Sequence, residues 1–189
     1  SRRMAESKHA AVADPGAVAT QRLFFALWPA EDLQRQWHRQ AGTMLAGVPG
    51  RRVEAHNLHV TLVFLGSVTH AVRECLEQAV AGIHAAPFTL VLDTAGYWRK
   101  PRIVWLGCSE LPAALGLLVR ALNATATDCG LTPDTRTYSP HLTVARKVRS
   151  DPGGLLPAQL IWPVQGFALM ESLSRPEGVF SRPLRMWNM

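Results

Sequence analysis

The chain has 189 residues, 48% hydrophobic and 18% charged, with a formal net charge of +6. That length and balance fit one folded domain with a sizeable core and exclude a disordered or fibrous chain; the absence of any apolar run near ~20 residues excludes a membrane-spanning helix. The basic excess suits an anionic partner, although a solvated surface would carry the same charge.

Residues 1–20 are Ala-rich and aperiodic and carry the turn signal Asp14-Pro15-Gly16, so they read as a flexible tail ahead of a domain over 21–189. Arg22–Leu27 is an apolar run with two Phe and predicts a strand. Pro29, Glu31 and Asp32 then open a helix, because proline suits a first turn and acids suit its positive end. Leu33, Trp37 and Met44 continue the stripe until Gly47 and Pro49 close it. Arg51 and Arg52 fall in the following loop. After an apolar run from His59 to Leu65, Gly66-Ser67-Val68-Thr69 caps a second helix carrying Val72, Leu76, Val80 and Ile83. Phe88–Ala95 predicts a strand that pairs with Ile103–Leu106 as a hairpin, with Gly96–Arg102 as its turn. A third helix follows Ser109, with Leu111, Leu115, Leu118 and Leu122 as its buried stripe. A loop over Thr132–Ser139 feeds a second His-bearing strand beginning near His141. Residues 148–163 match no pattern. Val164–Glu171 predicts a late strand, and Phe180–Trp187 a closing one whose Pro183 fits a sheet edge.

Cys75, Cys108 and Cys129 are odd in number, distant in sequence and in no metal-ligand spacing. They read as buried thiols in a reducing compartment. With no signal-peptide pattern at the start, a soluble cytoplasmic protein is the expectation.

The triplet His-x-Thr occurs twice within apolar runs, as His59-Val60-Thr61 and His141-Leu142-Thr143, 82 positions apart. Side chains two apart on a strand share a face, so each run presents an imidazole beside a hydroxyl, while Leu58, Val60, Leu62, Leu142 and Val144 point into packing. Two imidazoles that titrate near ~6.5 serve as one acid and one base, and two hydroxyls donate to the oxygens of an anion between them. That set suits proton transfer at both ends of a phosphodiester without a metal. One such triplet alone would read as a structural histidine. Zinc is the other competing reading, and no third or fourth ligand stands at short spacing.

These residues resemble the two-histidine phosphoesterase superfamily, and within it the RNA 2′,3′-cyclic phosphodiesterases or 2′-5′ RNA ligase-like proteins. Arg22–Leu27 is similar to the family's first strand, Asn57–Leu62 with Phe64-Leu65-Gly66 to its first motif, and Val104–Gly107 and Pro140–Thr143 with Arg146 to its later landmarks. The resemblance implies an α+β fold that is bilobal and pseudo-twofold, with largely antiparallel sheets around a central cleft and helices outside. It implies hydrolysis of an RNA terminal 2′,3′-cyclic phosphate to a 2′-phosphomonoester, with 2′-5′ ligation as the reverse reaction. His59 would be the proton donor and His141 the acceptor. Thr61, Thr143 and Arg146 would hold the phosphate, with an ordinary surface arginine as the competing reading of Arg146. No metal or cofactor is implied. The partners are RNA ends or nucleotides bearing a cyclic phosphate, and a monomer with no obligate protein partner is expected. Tyr97, Trp98 and Tyr138 offer faces for a base, buried packing being the competing reading, and Trp28 reads as core or rim. Two other readings stay open: a binding module of the same fold without turnover, and a sister enzyme acting on small cyclic nucleotides or 2′-5′ oligoadenylates.

Overall fold

The computed structural model describes residues 16–189, so the tail expected over 1–20 lies mostly outside the described residues. Strand β1 (Thr20–Leu27) is followed by helix α1 (Glu31–Met44), the two-residue strand β2 (Arg51–Arg52), a 3-10 turn (Ala55–Asn57), β3 (Val60–Thr69) and helix α2 (His70–Val80). Then come β4 (Phe88–Leu92), β5 (Thr94–Trp98), β6 (Ile103–Gly107), helix α3 (Ala113–Asp128), β7 (His141–Arg146), β8 (Leu160–Val164), β9 (Gly166–Arg175) and β10 (Gly178–Asn188). The fold is α+β, and every strand pairing among the described residues is antiparallel.

One sheet runs in the order β10-β9-β1-β3-β7-β6-β5, with β2 paired to β7, and β4 and β8 form a separate ribbon. The alternation along β1 sorts its two faces. Leu23, Phe25 and Leu27 join the main core with Trp37 of α1, Leu76 and Val80 of α2 and Leu115, Leu118 and Leu122 of α3. Phe24 and Ala26 lie on the opposite face with Ala168, Met170 and Trp28. The helices therefore cover one face and leave the other available. β3 and β7 meet at a single pair, Val60 with Leu142. That one pair joins the β10-β9-β1-β3 half of the sheet to the β7-β6-β5 half, and each half contributes one of the His-x-Thr runs.

Several boundaries differ from the sequence reading. Gly66–Thr69 belongs to β3, and only Thr69 caps α2, its hydroxyl accepting from the Val72 N–H at 3.3 Å. The expected strand Phe88–Ala95 is broken at Asp93, whose carboxylate accepts from the N–H and hydroxyl of Ser109. The break sends β4 to pair with β8, so the hairpin is β5 with β6, and Gly96–Trp98 is strand instead of turn. The expected strand Val164–Glu171 is broken at Gln165: Val164 ends β8, whose residues 160–163 carried no legible pattern and whose Leu160, Trp162 and Val164 face the core, and β9 begins at Gly166. Leu111 precedes α3 and is exposed. Arg51 and Arg52, expected in a loop, pair with Arg146 and Ala145.

The cysteine reading is corrected. Cys75 on α2 is exposed and bonded to Cys129 at the end of α3, with 5.9 Å between their Cα atoms. Cys108 alone is free, and burial raises its pKa. The cysteine argument for a reducing compartment falls with that pair. No helix among the described residues is long and apolar enough to cross a membrane.

Candidate active site

His59 immediately precedes β3 and His141 opens β7, and each ring is held in the same way. His59 Nδ1–H donates to the Asn57 carbonyl at 2.7 Å, and His141 Nδ1–H to the Ser139 carbonyl at 3.0 Å. A carbonyl only accepts, so Nδ1 keeps its proton in both ionisation states and Nε2 is the atom left to exchange one. Carrying the Val60–Leu142 register one residue each way sets His59 opposite Thr143 and Thr61 opposite His141. On that register the two histidines are diagonal neighbours, and the charge of His141 is felt at His59. Among the described residues neither threonine hydroxyl is spent on a protein partner, and the Tyr138 hydroxyl donates at 2.9 Å to the Thr61 carbonyl, fixing the backbone of that run.

Arg146 reaches the same face by an irregularity. It lies five places after His141, an odd step that would turn it to the other side of a regular strand. Between Thr143 and Ala145 strand β7 advances two residues while β6 advances one, from Trp105 to Val104. Val144 is thus an extra residue, and such a bulge re-aims the side chains beyond it. Val144 and Ala145 are both buried, and Arg146 is exposed with its charge felt at both histidines.

Aromatic rings enclose the imidazoles. Trp28 stacks on His59 with ring centres 4.9 Å apart and planes 14° from parallel, and Phe24 lies 5.3 Å away. Trp98 meets His141 edge to face at 4.5 Å, backed by Trp105 at 5.1 Å. Trp105 in turn lies over Gly96, where an added Cβ would come 2.2 Å from its ring. Only glycine permits that approach. Neither Trp28 nor Trp98 was assigned a role beside a histidine from sequence. Their signal was position: Trp28 directly follows β1, the strand flanking the first motif strand, and Trp98 ends the hairpin that pairs with the second. Tyr97 is turned away and donates to the Val148 carbonyl at 2.7 Å.

Burial among these rings pushes His59 down to about 4 from its ordinary value of 6.5; the Asn57 carbonyl opposes this, and the charges of Arg146 and His141 add to it. His141 is lowered as well, first by burial and then by Arg146, against the Ser139 carbonyl. Both imidazoles are therefore neutral in the free protein at neutral pH, and an anion placed between them and Arg146 would raise both. Burial also raises Tyr138, which stays a neutral donor. Among the described residues no group of three or more His, Cys, Asp or Glu is placed to hold a metal ion.

The 2′-5′ RNA ligase superfamily model matches residues 28–172. The RNA 2′,3′-cyclic phosphodiesterase of Escherichia coli (strain K12) is 40% identical over 127 residues, covering 67% of this chain and 72% of the relative. The crystal structure of E. coli LigT complexed with ATP superposes with a TM-score of 0.81 at 30% identity, covering 90% of this chain and 99% of that one. LigT complexed with 3′-AMP gives 0.80 at 31% identity, over 90% and 99%.

Proposed function

The chain belongs to the 2′-5′ RNA ligase superfamily, and on that footing we propose that it hydrolyses the terminal 2′,3′-cyclic phosphate of RNA to a 2′-phosphomonoester, with no metal in the chemistry. The observation that carries the reading is the matched pair of imidazoles. Each is fixed through Nδ1 by the carbonyl two residues earlier and flanked by an uncommitted threonine hydroxyl, with one arginine serving both.

In the proposed reaction a cyclic phosphate monoanion binds between the strands, its oxygens taking hydrogen bonds from Thr61 and Thr143 and the charge of Arg146. Water attacks phosphorus as His141 Nε2 accepts its proton. The P–O3′ bond breaks as His59 Nε2–H protonates the departing oxygen, and the 2′ ester remains. The resemblance, not the electrostatics, assigns donor and acceptor. In the free protein burial, with the charge of Arg146, makes His59 hold a proton poorly, so it acts as donor once the charge of the bound anion opposes both. With a 5′-hydroxyl in place of water as the nucleophile, His141 would take its proton and His59 would protonate the departing 3′ oxygen, joining the two ends in a 2′-5′ linkage.

The assignment is tested with a cyclic substrate whose 3′ bridging oxygen is replaced by sulfur, since a thiolate leaves without a proton. His59→Ala should recover most of its activity on that substrate and His141→Ala none. Equal recovery by both, or recovery by His141→Ala alone, would overturn the roles. Chelation by EDTA should leave turnover unchanged; loss restored by zinc would contradict the metal-free proposal.

A further inference from the structure

Strands β1 and β9 pair only over Leu23–Ala26 and Ala168–Glu171. Beyond them β9 and β10 continue as a hairpin whose tip meets β2 and the 3-10 turn. There Arg51 donates through Nη2 to the Glu177 carbonyl at 2.8 Å, Phe180 lies 6.1 Å from the His56 ring, and the Arg175 guanidinium sits 4.4 Å from the Phe180 ring centre. Arg51 is also the direct cross-strand partner of Arg146. Paired residues on neighbouring strands share a face, with Cα atoms about 5 Å apart, and like charges set opposite each other are unfavourable. Neither arginine has a carboxylate partner among the described residues. Arg51 thus stands beside Arg146 on the same face with no acid between them, and one phosphate held by Arg146 leaves it unmatched.

We propose that Arg51 binds a second phosphate, the phosphodiester that joins the terminal nucleotide to the one before it, and that Phe180 and His56 supply the surface over which that preceding base lies. This rests on the hydrolase reading and narrows it: the site is built for the end of an RNA strand in preference to a free cyclic mononucleotide. Long side chains rooted on adjacent strands can reach anions one nucleotide apart, and a phosphate-binding guanidinium with aromatic rings nearby suits a single-stranded backbone with its bases turned out. The hairpin tip keeps Arg51 in place through the Glu177 carbonyl while leaving its other donors for the ligand.

The test compares wild type, Arg51→Met and Arg51→Lys on an RNA hexamer ending in a 2′,3′-cyclic phosphate and on cytidine 2′,3′-cyclic phosphate. The ratio of kcat/KM for hexamer over mononucleotide should fall about tenfold in Arg51→Met and less in Arg51→Lys. In parallel, fluorescence anisotropy follows binding of a labelled hexamer ending in a 3′-phosphate across salt concentrations. The slope of log Kd against log salt should shrink by about 0.7 in Arg51→Met and hold in Arg51→Lys, which a purely structural role would not produce. An unchanged ratio, or a salt slope equal to wild type, overturns the proposal. If wild type hydrolyses neither substrate, the hydrolase reading fails, and the salt slope alone decides the role of Arg51.

Discussion

In the proposed reaction His59 and His141 act through one nitrogen each, because the other is tied to a backbone carbonyl. Replacing either with alanine should lower kcat by about 10²–10⁴ while leaving the fold intact by circular dichroism; a loss of only a few-fold in a steady-state assay would count against the role. Thr61→Val or Thr143→Val, each removing one donor to the phosphate, should cost roughly 10². Both imidazoles are depressed in the free protein, so the proton needed by the donor is present only on the acid side of their lowered pKa values. The bell of kcat/KM against pH should accordingly peak below neutrality, and the bell of kcat, which reports the complex with the anion, should lie at higher pH. Arg146→Met removes a repelling charge, so NMR titration should show both imidazoles moving up. No movement would mean that Arg146 is not electrostatically coupled to the site. His-x-Thr was legible because strand parity is a local rule. Trp28 and Trp98 were not, since a ring becomes a neighbour of an imidazole only when separate strands pair.

At the scale of elements, the bulge at Val144 decides which way Arg146 faces, and nothing local in Thr143-Val144-Ala145 announces it. The same limit applies to β4 and β8. The apolar alternation of β4 identifies a strand and that of β8 was not legible, while the partner of β4 depends on Asp93 being captured by Ser109, sixteen residues on. Gly96 shows the reverse situation, a single small residue whose reason is a ring from the neighbouring strand. Gly96→Ala should displace Trp105 and with it Trp98, costing about 1–3 kcal/mol of stability and lowering kcat through His141; a variant as stable and active as wild type in thermal melts and assays would refute that chain of contacts. Cys75–Cys129 clamps α2 to α3 across 54 residues, a pairing invisible until the helices pack. Cys129→Ser should lose about 2–4 kcal/mol in urea unfolding under non-reducing conditions with kcat unchanged.

For the molecule as a whole, the buried imidazole of His59 links activity to acid stability. Its folded pKa of about 4 lies below its ordinary value of 6.5, so between those limits the unfolded chain binds a proton that the folded chain refuses. Stability is then highest above pH 6.5, falls as pH drops through 6.5 and stops falling from this source below about 4, with a total of at most roughly 3 kcal/mol. His59→Asn should lose less stability than wild type between pH 7 and pH 4.5; equal losses in urea melts would show that the imidazole is not so deeply depressed. The antiparallel α+β class, the three helices and the closing edge strand were all readable from periodicity. The division of the sheet into two halves joined at Val60 and Leu142 came with the family resemblance and the coordinates, because a single cross-strand pair leaves no trace in sequence. That joint brings the two His-x-Thr runs from distant parts of the chain side by side, and the proposed catalysis depends on it. The most direct test is ³¹P NMR of an RNA hexamer ending in a 2′,3′-cyclic phosphate, incubated with the wild type and with the His59→Ala and His141→Ala variants. The account predicts conversion of the cyclic signal to a 2′-phosphomonoester by the wild type alone. A 3′-phosphomonoester product, or conversion by either variant at the wild-type rate, would contradict it.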